Sequence, residues 1–235
     1  SIVESLNENL ESMTLGTLWG VSVEARPGEE FGSIYGNDYL RDNFGTKLIT
    51  DDGYAQKGER IKQGSINPDW FGGVTNSFRY KNFTLSALIS VQQGAEFYSY
   101  GRAYRMYFGT DARSLEGRET GIVENGINEH TGQVNETPIP AMLSQFTNIF
   151  TNEIATDQIL DASNVRLREV TLTFDFPQKM LRNTFIQDAS VSAVGRNLFF
   201  FYNAAGDIDP ESGYNSGPIG AAFEHSSLPS TRSFG

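Results

Sequence analysis

"GGVTNSFRYKNFTLSALISV", residues 72–91, reads as a strand, a two-residue turn and a second strand. Val74, Phe78 and Tyr80 alternate with Thr75, Ser77 and Arg79. Beyond Lys81-Asn82 the alternation resumes, with Phe83, Leu85, Ala87, Ile89 and Val91 on one face and Thr84, Ser86 and Ser90 on the other. A period of two marks a one-sided β-strand. Asn82 tolerates the positive φ that a tight hairpin turn needs. A two-residue loop sets Tyr80 opposite Phe83, Phe78 opposite Leu85 and Val74 opposite Ile89. Both apolar sets then fall on one side of the sheet, so turn length and pattern agree. Asn76 on the apolar face and Leu88 on the polar face depart from the pattern. What the apolar face meets, a second protein layer or lipid, decides the fold.

Composition narrows the choice. The 235 residues suffice for one or two domains with a sizeable core, yet only 38% are hydrophobic, with 24 glycines and 12% aromatics. A net charge of −11 argues against nucleic acid, whose phosphates need a basic surface, and offers no polybasic patch for a membrane surface. No cysteine is present, so disulfides and thiolate metal sites are excluded. No apolar run approaches the ~20 residues of a membrane helix. Barrel strands alternate, however, and leave only a weak hydropathy signal. The chain begins "SIVESL", with neither an initiator Met nor a signal peptide, and reads as a processed chain or a fragment.

Strands are expected at about 70–80, 83–92, 165–176 and 189–202. In "VTLTFDFP", Val170, Leu172, Phe174 and Phe176 alternate with polar residues until Pro177 ends the strand. Val165 and Leu167 lie in the opposite phase, which predicts a bulge at Arg168-Glu169. "ASVSAVGRNLFFFY" (189–202) ends in four aromatics. Residues 1–69, 92–164 and 203–229 read as long loops, with one possible strand through Met13, Leu15, Trp19, Val21 and Val23 and some helix between Ala141 and Leu160. A further strand is expected to begin at "PSTRSFG", the final strand being otherwise missing.

The links at 81–82 and 177–188 are short, and the others are long. Because direction reverses at each link, every short link lies at one end of the sheet. Outer-membrane barrels show this asymmetry, and their strands have similar lengths. Phe199 to Tyr202 would then form part of an aromatic girdle. A soluble glycan-binding β-sandwich also uses one-sided strands, and would need a second sheet over the apolar face.

Four stretches carry a resemblance: "GEEFGSIYGNDYLRD" (28–42), "GSINPDWFGGVTNSFRYKNFTLSALISVQQGAEFYS" (64–99), "NVRLREVTLTFDFP" (164–177) and "VGRNLFFF…DIDPESG…PSTRSFG" (194–235). In this order and spacing they resemble the C-terminal part of the SusC/RagA family of TonB-dependent outer-membrane transporters of Bacteroidetes. The resemblance covers essentially the whole chain. It implies an all-β fold: an antiparallel transmembrane β-barrel segment, part of a 22-stranded barrel, with long extracellular loops. It further implies localisation in a Gram-negative outer membrane, and uptake of glycans or peptides powered through TonB. The implied partners are a SusD-like lipoprotein lid, TonB acting through an N-terminal and plug part that this sequence lacks, the rest of the barrel, and lipid and lipopolysaccharide. With about five strands, the chain cannot close a barrel alone.

Candidate ligand contacts lie in "EFYSYGRAYRMYFG" (96–109), where Tyr98, Tyr100, Tyr104, Tyr107 and Phe108 could stack on sugar rings or a peptide backbone. Packing of the loop, or a girdle, is the plainer reading. Asp207, Asp209 and Glu211 in "DIDPES" alternate as oxygen ligands for Ca²⁺ can, but the glycine and ligand spacing of an EF-hand is absent, and a solvated loop or structural hydrogen bonding is the plainer reading. No other cofactor is indicated. "LRDNFGTKLITDDG" (40–53) reads as a solvated turn. His130 and His225 lack ligand-spaced or triad partners, and no carboxylate pair stands out, so an enzyme is not expected. Arg79 falls on the polar face. Arg196 is expected inward or near an interface, because on a lipid face it would cost ~2–4 kcal/mol.

Overall fold

The computed structural model describes residues 1–7, 10–182, 184–213 and 219–235. Residues 214–218 of the loop expected at 203–229 lie outside this description. The chain forms two units, and each has its own sheet.

The first unit comprises Ser1–Asn67, Ala95–Leu160 and Gly213–Ser227. Strands β1 (Met13–Leu18), β2 (Val21–Ala25), β3 (Ser33–Tyr39) and β4 (Lys57–Ser65) form an antiparallel meander. The single strand expected near Met13 is therefore a hairpin. Trp19 and Gly20 both take positive φ, 43° and 76°, as a type I′ hairpin turn requires, and Leu18 pairs with Val21. The regions expected to be long loops are folded. Val21, Val23, Ile34, Tyr98, Tyr100, Ala103, Ile149 and Phe223 bury one another in a common core. These residues come from segments far apart in the chain, so no local periodicity announces them.

The second unit comprises Pro68–Gly94, Asp161–Ser212 and Leu228–Gly235. Its sheet holds β5 (Pro68–Tyr80), β6 (Phe83–Gly94), β7 (Asn164–Asp175), β8 (Ser190–Asn203) and the short β9 (Ser233–Phe234), in the order β9-β8-β7-β6-β5. The register matches the one that the alternation predicts: Tyr80 pairs with Phe83, Phe78 with Leu85 and Val74 with Ile89. Lys81, not Asn82, takes the positive φ of 55°. Asn82 instead bonds the neighbouring strand, its side-chain amide donating to the Asp175 carbonyl at 2.8 Å.

The expected bulge is present. The ladder of β7 shifts between Leu167 and Glu169 against both neighbours. Because of that extra residue, Leu167 pairs with Ile89 and Leu172 with Leu85, so both apolar phases of β7 face the same side. Over the hairpin that side is uncovered: Val74, Phe78 and Tyr80 are 64%, 65% and 72% exposed, whereas Leu167 is buried. A sandwich would have buried them beneath a second sheet.

Aromatic residues bracket this face. Tyr80, Phe83 and Phe174 stand near the short links, with the Phe83 and Phe174 rings 4.8 Å apart. Trp70, Phe199 and Tyr202 stand exposed toward the other end. Tyr80 and Gly72 lie eight positions apart on β5, or about 27 Å along the strand, which becomes about 20 Å of height at the usual barrel tilt. The quartet 199–202 does not act as one girdle. Phe200 pairs with Arg166 and turns to the polar face, where the guanidinium sits 3.9 Å above its ring.

Candidate functional site

Two clusters of chemistry-bearing side chains stand out, one in each unit. The first is built on helix α1 (Tyr100–Tyr107). Ser99 caps it, its Oγ accepting from the Arg102 amide at 3.1 Å, as a helix N-cap should. Tyr100, Tyr104, Tyr107 and Phe108 recur at helical spacing and so share a face. A second helix, α2 (Ala141–Phe146), runs on into a wider turn at Thr147–Thr151. It supplies Phe146 and Phe150, whose rings lie 5.6 Å and 5.3 Å from Tyr107. Tyr104 stacks on Phe108 at 5.6 Å with planes 7° apart.

The five aromatic candidates therefore divide. Tyr98 and Tyr100 are buried core residues, and burial raises both phenol pKa values. Tyr104 packs against that core. Tyr107 and Phe108 line a cavity of about 800 Å³. Met106, Ile122, Val123 and Met142 add apolar wall, and Arg113, Arg118 and Glu116 add charge. Arg118 is oriented by the Gly109 carbonyl at 2.8 Å and Ser114 Oγ at 3.0 Å. Arg113 is held by Asp111, whose carboxyl these hydrogen bonds pull down to about 2 against the opposing effect of burial. The cavity can accept a partly apolar molecule with an anionic or hydrogen-bonding group. Sequence reasoning missed the arginines and methionines, which sit on separate segments without a shared period.

The second cluster occupies the polar face of the five-stranded sheet. Arg166 is only 2% exposed at its side chain, and donates to Asp209 at 2.6 Å and Glu211 at 2.9 Å. It also donates to Ser230 Oγ at 2.8 Å. Arg168 contributes its Nε to Ser90 Oγ at 2.7 Å and pairs with Glu211. Burial pushes the Asp209 carboxyl upward, but hydrogen bonds from Arg166 and Ser230 outweigh it and hold the group below its ordinary value. Asp209 and Glu211 are thus engaged by guanidinium groups, as structural hydrogen bonding of this loop requires. No group of three such residues is placed to hold a metal among the described residues. The signal was available: two arginines inside a strand need partners, and an acidic loop follows one strand later.

Other charges also find roles on this face. Arg196 pairs in register with Glu169, at 2.8 Å, away from the apolar side. Arg79 meets Asp175 at 3.3 Å. In the first unit, Asp42 closes the turn at 40–53 by accepting from the Phe44 and Thr46 amides. His130 lies exposed 3.3 Å from Asp51, and the His225 ring packs 4.9 Å from Tyr100.

No family model matches the chain. A curated relative, TonB-dependent receptor P3 of Formosa agariphila, is 25% identical over 234 residues, covering 89% of this chain. The chain spans 22% of that relative's length. Among solved structures, the RagAB peptide transporter superposes with a TM-score of 0.58 at 17% identity, over 99% of this chain and 24% of its own. The RagAB peptide importer in its closed-closed state gives 0.57 at 18% identity, over 97% of this chain and 24% of its own. Its open-open state gives 0.57 at 17%, over 98% and 24%. Sequence and fold thus both meet the resemblance to SusC/RagA transporters, and the relatives are named receptors, transporters and importers rather than enzymes.

Proposed function

We propose that this chain is a section of the wall and loops of an outer-membrane nutrient importer of the TonB-dependent, SusC-like kind. One observation carries the reading. The five-stranded sheet presents an exposed apolar face, bracketed by aromatics at both ends, while its other face holds Ser, Thr and paired charges. That is the two-sided chemistry of a barrel wall between lipid and a wet interior.

The sheet also needs more strands. No strand among the described residues pairs with the outer edge of β5, and an edge of 13 residues left open would pair with other chains. In this reading its neighbour is a further strand of the same barrel, and a plug fills the interior. The chain leaves the sheet at Pro68, Gly94, Asn164 and Asn203, all at the end opposite the short links. The resemblance puts that end outside the cell, under a SusD-like lipoprotein lid, where the segments between these points meet lipopolysaccharide and substrate. The cavity beside Tyr107 and Phe108 is then a ligand-contact candidate, for a glycan or a peptide.

Fractionation of cells making the polypeptide that carries this chain tests the reading. It should sediment with the outer membrane, resist salt and alkali, and require detergent for release. Unheated in dodecyl sulfate, it should run at a different position from the heated form. Recovery in the soluble fraction without detergent would overturn the proposal.

A further inference from the structure

The short link 178–188 combines three exposed apolar side chains with two cations. Phe185 is 97% exposed, and Met180 and Ile186 are also exposed. Pro177 opens a helical turn at Gln178–Leu181, in which the Met180 amide donates to the Pro177 carbonyl at 2.8 Å. The Phe176 amide closes the link on the Ala189 carbonyl at 2.9 Å. Asn183 lies outside the described residues. Lys179 and Arg182 are exposed and make no ion pair among the described residues. The other short link adds Lys81, whose ammonium lies 5.3 Å from the Tyr80 ring. Arg79 and Asp175 cancel each other, which leaves Asp188 as the one carboxylate against three cations. This local excess of positive charge stands on a chain whose net charge is −11.

We propose that this end of the sheet is an interfacial anchor that binds anionic phospholipid headgroups, with Phe185, Met180 and Ile186 seated at the acyl boundary and Lys179, Arg182 and Lys81 on the phosphates. The proposal rests on the membrane reading above and adds a leaflet-facing site to it. The patch is continuous with the apolar face. Phe176 packs on Phe174 at 5.2 Å, and Phe174 on Phe83 at 4.8 Å, so the aromatic border leads directly into the link. Basic side chains can lay their stems along apolar surface and keep their heads at the phosphates. An exposed Phe beside Lys and Arg is the composition of segments that lie in an interface. A soluble protein partner would not explain why the uncovered apolar side chains adjoin the lipid-facing border.

The chain has no cysteine, so one introduced thiol gives one labelled site within it. Three variants of the whole polypeptide, F185C, V74C and S77C, would carry an environment-sensitive fluorophore. They would be reconstituted into phosphatidylcholine vesicles with or without phosphatidylglycerol, with doxyl groups placed high or low on the acyl chain. Label at Val74 should be quenched by the deep doxyl lipid, and label at Ser77 by neither. Label at Phe185 should be quenched by the shallow doxyl lipid. That quenching should strengthen with phosphatidylglycerol and weaken in about 0.5 M salt. K179E/R182E should lower the phosphatidylglycerol dependence by at least about 25-fold, near fivefold per cation removed.

Quenching at Val74 with a water-exposed label at Phe185 would overturn the anchor and leave the importer reading standing. No quenching at either position would overturn both. Quenching at Phe185 that ignores phosphatidylglycerol and K179E/R182E would reduce the site to apolar contact and overturn headgroup recognition. A shielded label at Phe185 that no doxyl lipid quenches would point to a protein partner and overturn it as well.

Discussion

Arg166 on β7 and Asp209 in the loop after β8 meet at 2.6 Å, with both side chains almost wholly buried. Phe200 supports the guanidinium from below, and Glu211 and Ser230 take a second nitrogen. One strand residue therefore ties down two loop segments, at 209–211 and at 230.

Removing one partner should cost much more than the pair contributes, because it strands a buried charge. Arg166→Ala is expected to lower stability by about 3–5 kcal/mol. Arg166→Lys should recover little, since one ammonium cannot reproduce a fork that reaches Asp209 and Glu211 with different nitrogens. Proteinase K should cut the R166A variant within 203–213 at concentrations that spare the parent, while the strands stay protected. An uncut loop in R166A would mean that the network does not hold it.

The same site gives a pH dependence with a definite sign. Asp209 sits below its ordinary value of 3.8 in the folded protein. Its stabilising contribution is therefore complete above about that value, and is lost as pH falls through the lower folded value. Hydrogen exchange of the amides at 209–212 should stay slow from pH 7 to pH 4 after correction for intrinsic rates, then rise below. Asp209→Asn should show raised exchange already at pH 7 and a flat profile. A rise between pH 5 and 7 would assign the control to another group.

Adjacent positions on β5 should respond oppositely to charge. Val74 lies on the apolar face with Ile89, and Thr75 points to the polar side with Leu88. Val74→Arg should cost ~2–4 kcal/mol of folding into a bilayer, whereas Thr75→Arg should cost little. The fraction of heat-modifiable protein in dodecyl sulfate reads both. Equal losses would remove the distinction between the two faces.

The wall was legible from residues because its information is local. A strand with one lipid-like face must alternate, and a change of phase needs an extra residue, so the opposed phases of Val165 and Leu167 against Val170 and Leu172 are enough to place the bulge. The first unit was not legible. Its core joins Val21, Ile34, Tyr98, Ile149 and Phe223, from segments far apart in the chain with no shared period. The aromatic helix was readable in part, since Tyr100, Tyr104, Tyr107 and Phe108 do recur at helical spacing. Yet eight residues beginning Tyr-Gly make a weak helix, and tertiary burial decided its form. Which aromatics face a ligand depends on what α2 covers, and that is a long-range fact.

That division of the aromatics yields the last prediction. Tyr107 and Phe108 line the cavity, while Tyr98 is sealed in the core. If the cavity contacts substrate, Phe108→Ala should weaken binding or uptake about tenfold, the loss of roughly one well-placed aromatic contact, without moving the unfolding midpoint, because Phe108 is largely exposed. Arg118→Gln should cost more for an anionic ligand than for a neutral one, since it removes a charge that Gly109 and Ser114 hold in place. Tyr98→Ala should do the reverse of Phe108→Ala: about 3–5 kcal/mol of stability lost, with affinity in the surviving folded fraction unchanged. Uptake of a labelled nutrient by whole cells, set beside thermal unfolding of the purified protein, separates the two. Should Phe108→Ala and Arg118→Gln leave uptake intact at full expression, the cavity is not on the substrate's path, and contact must be sought on the other loops.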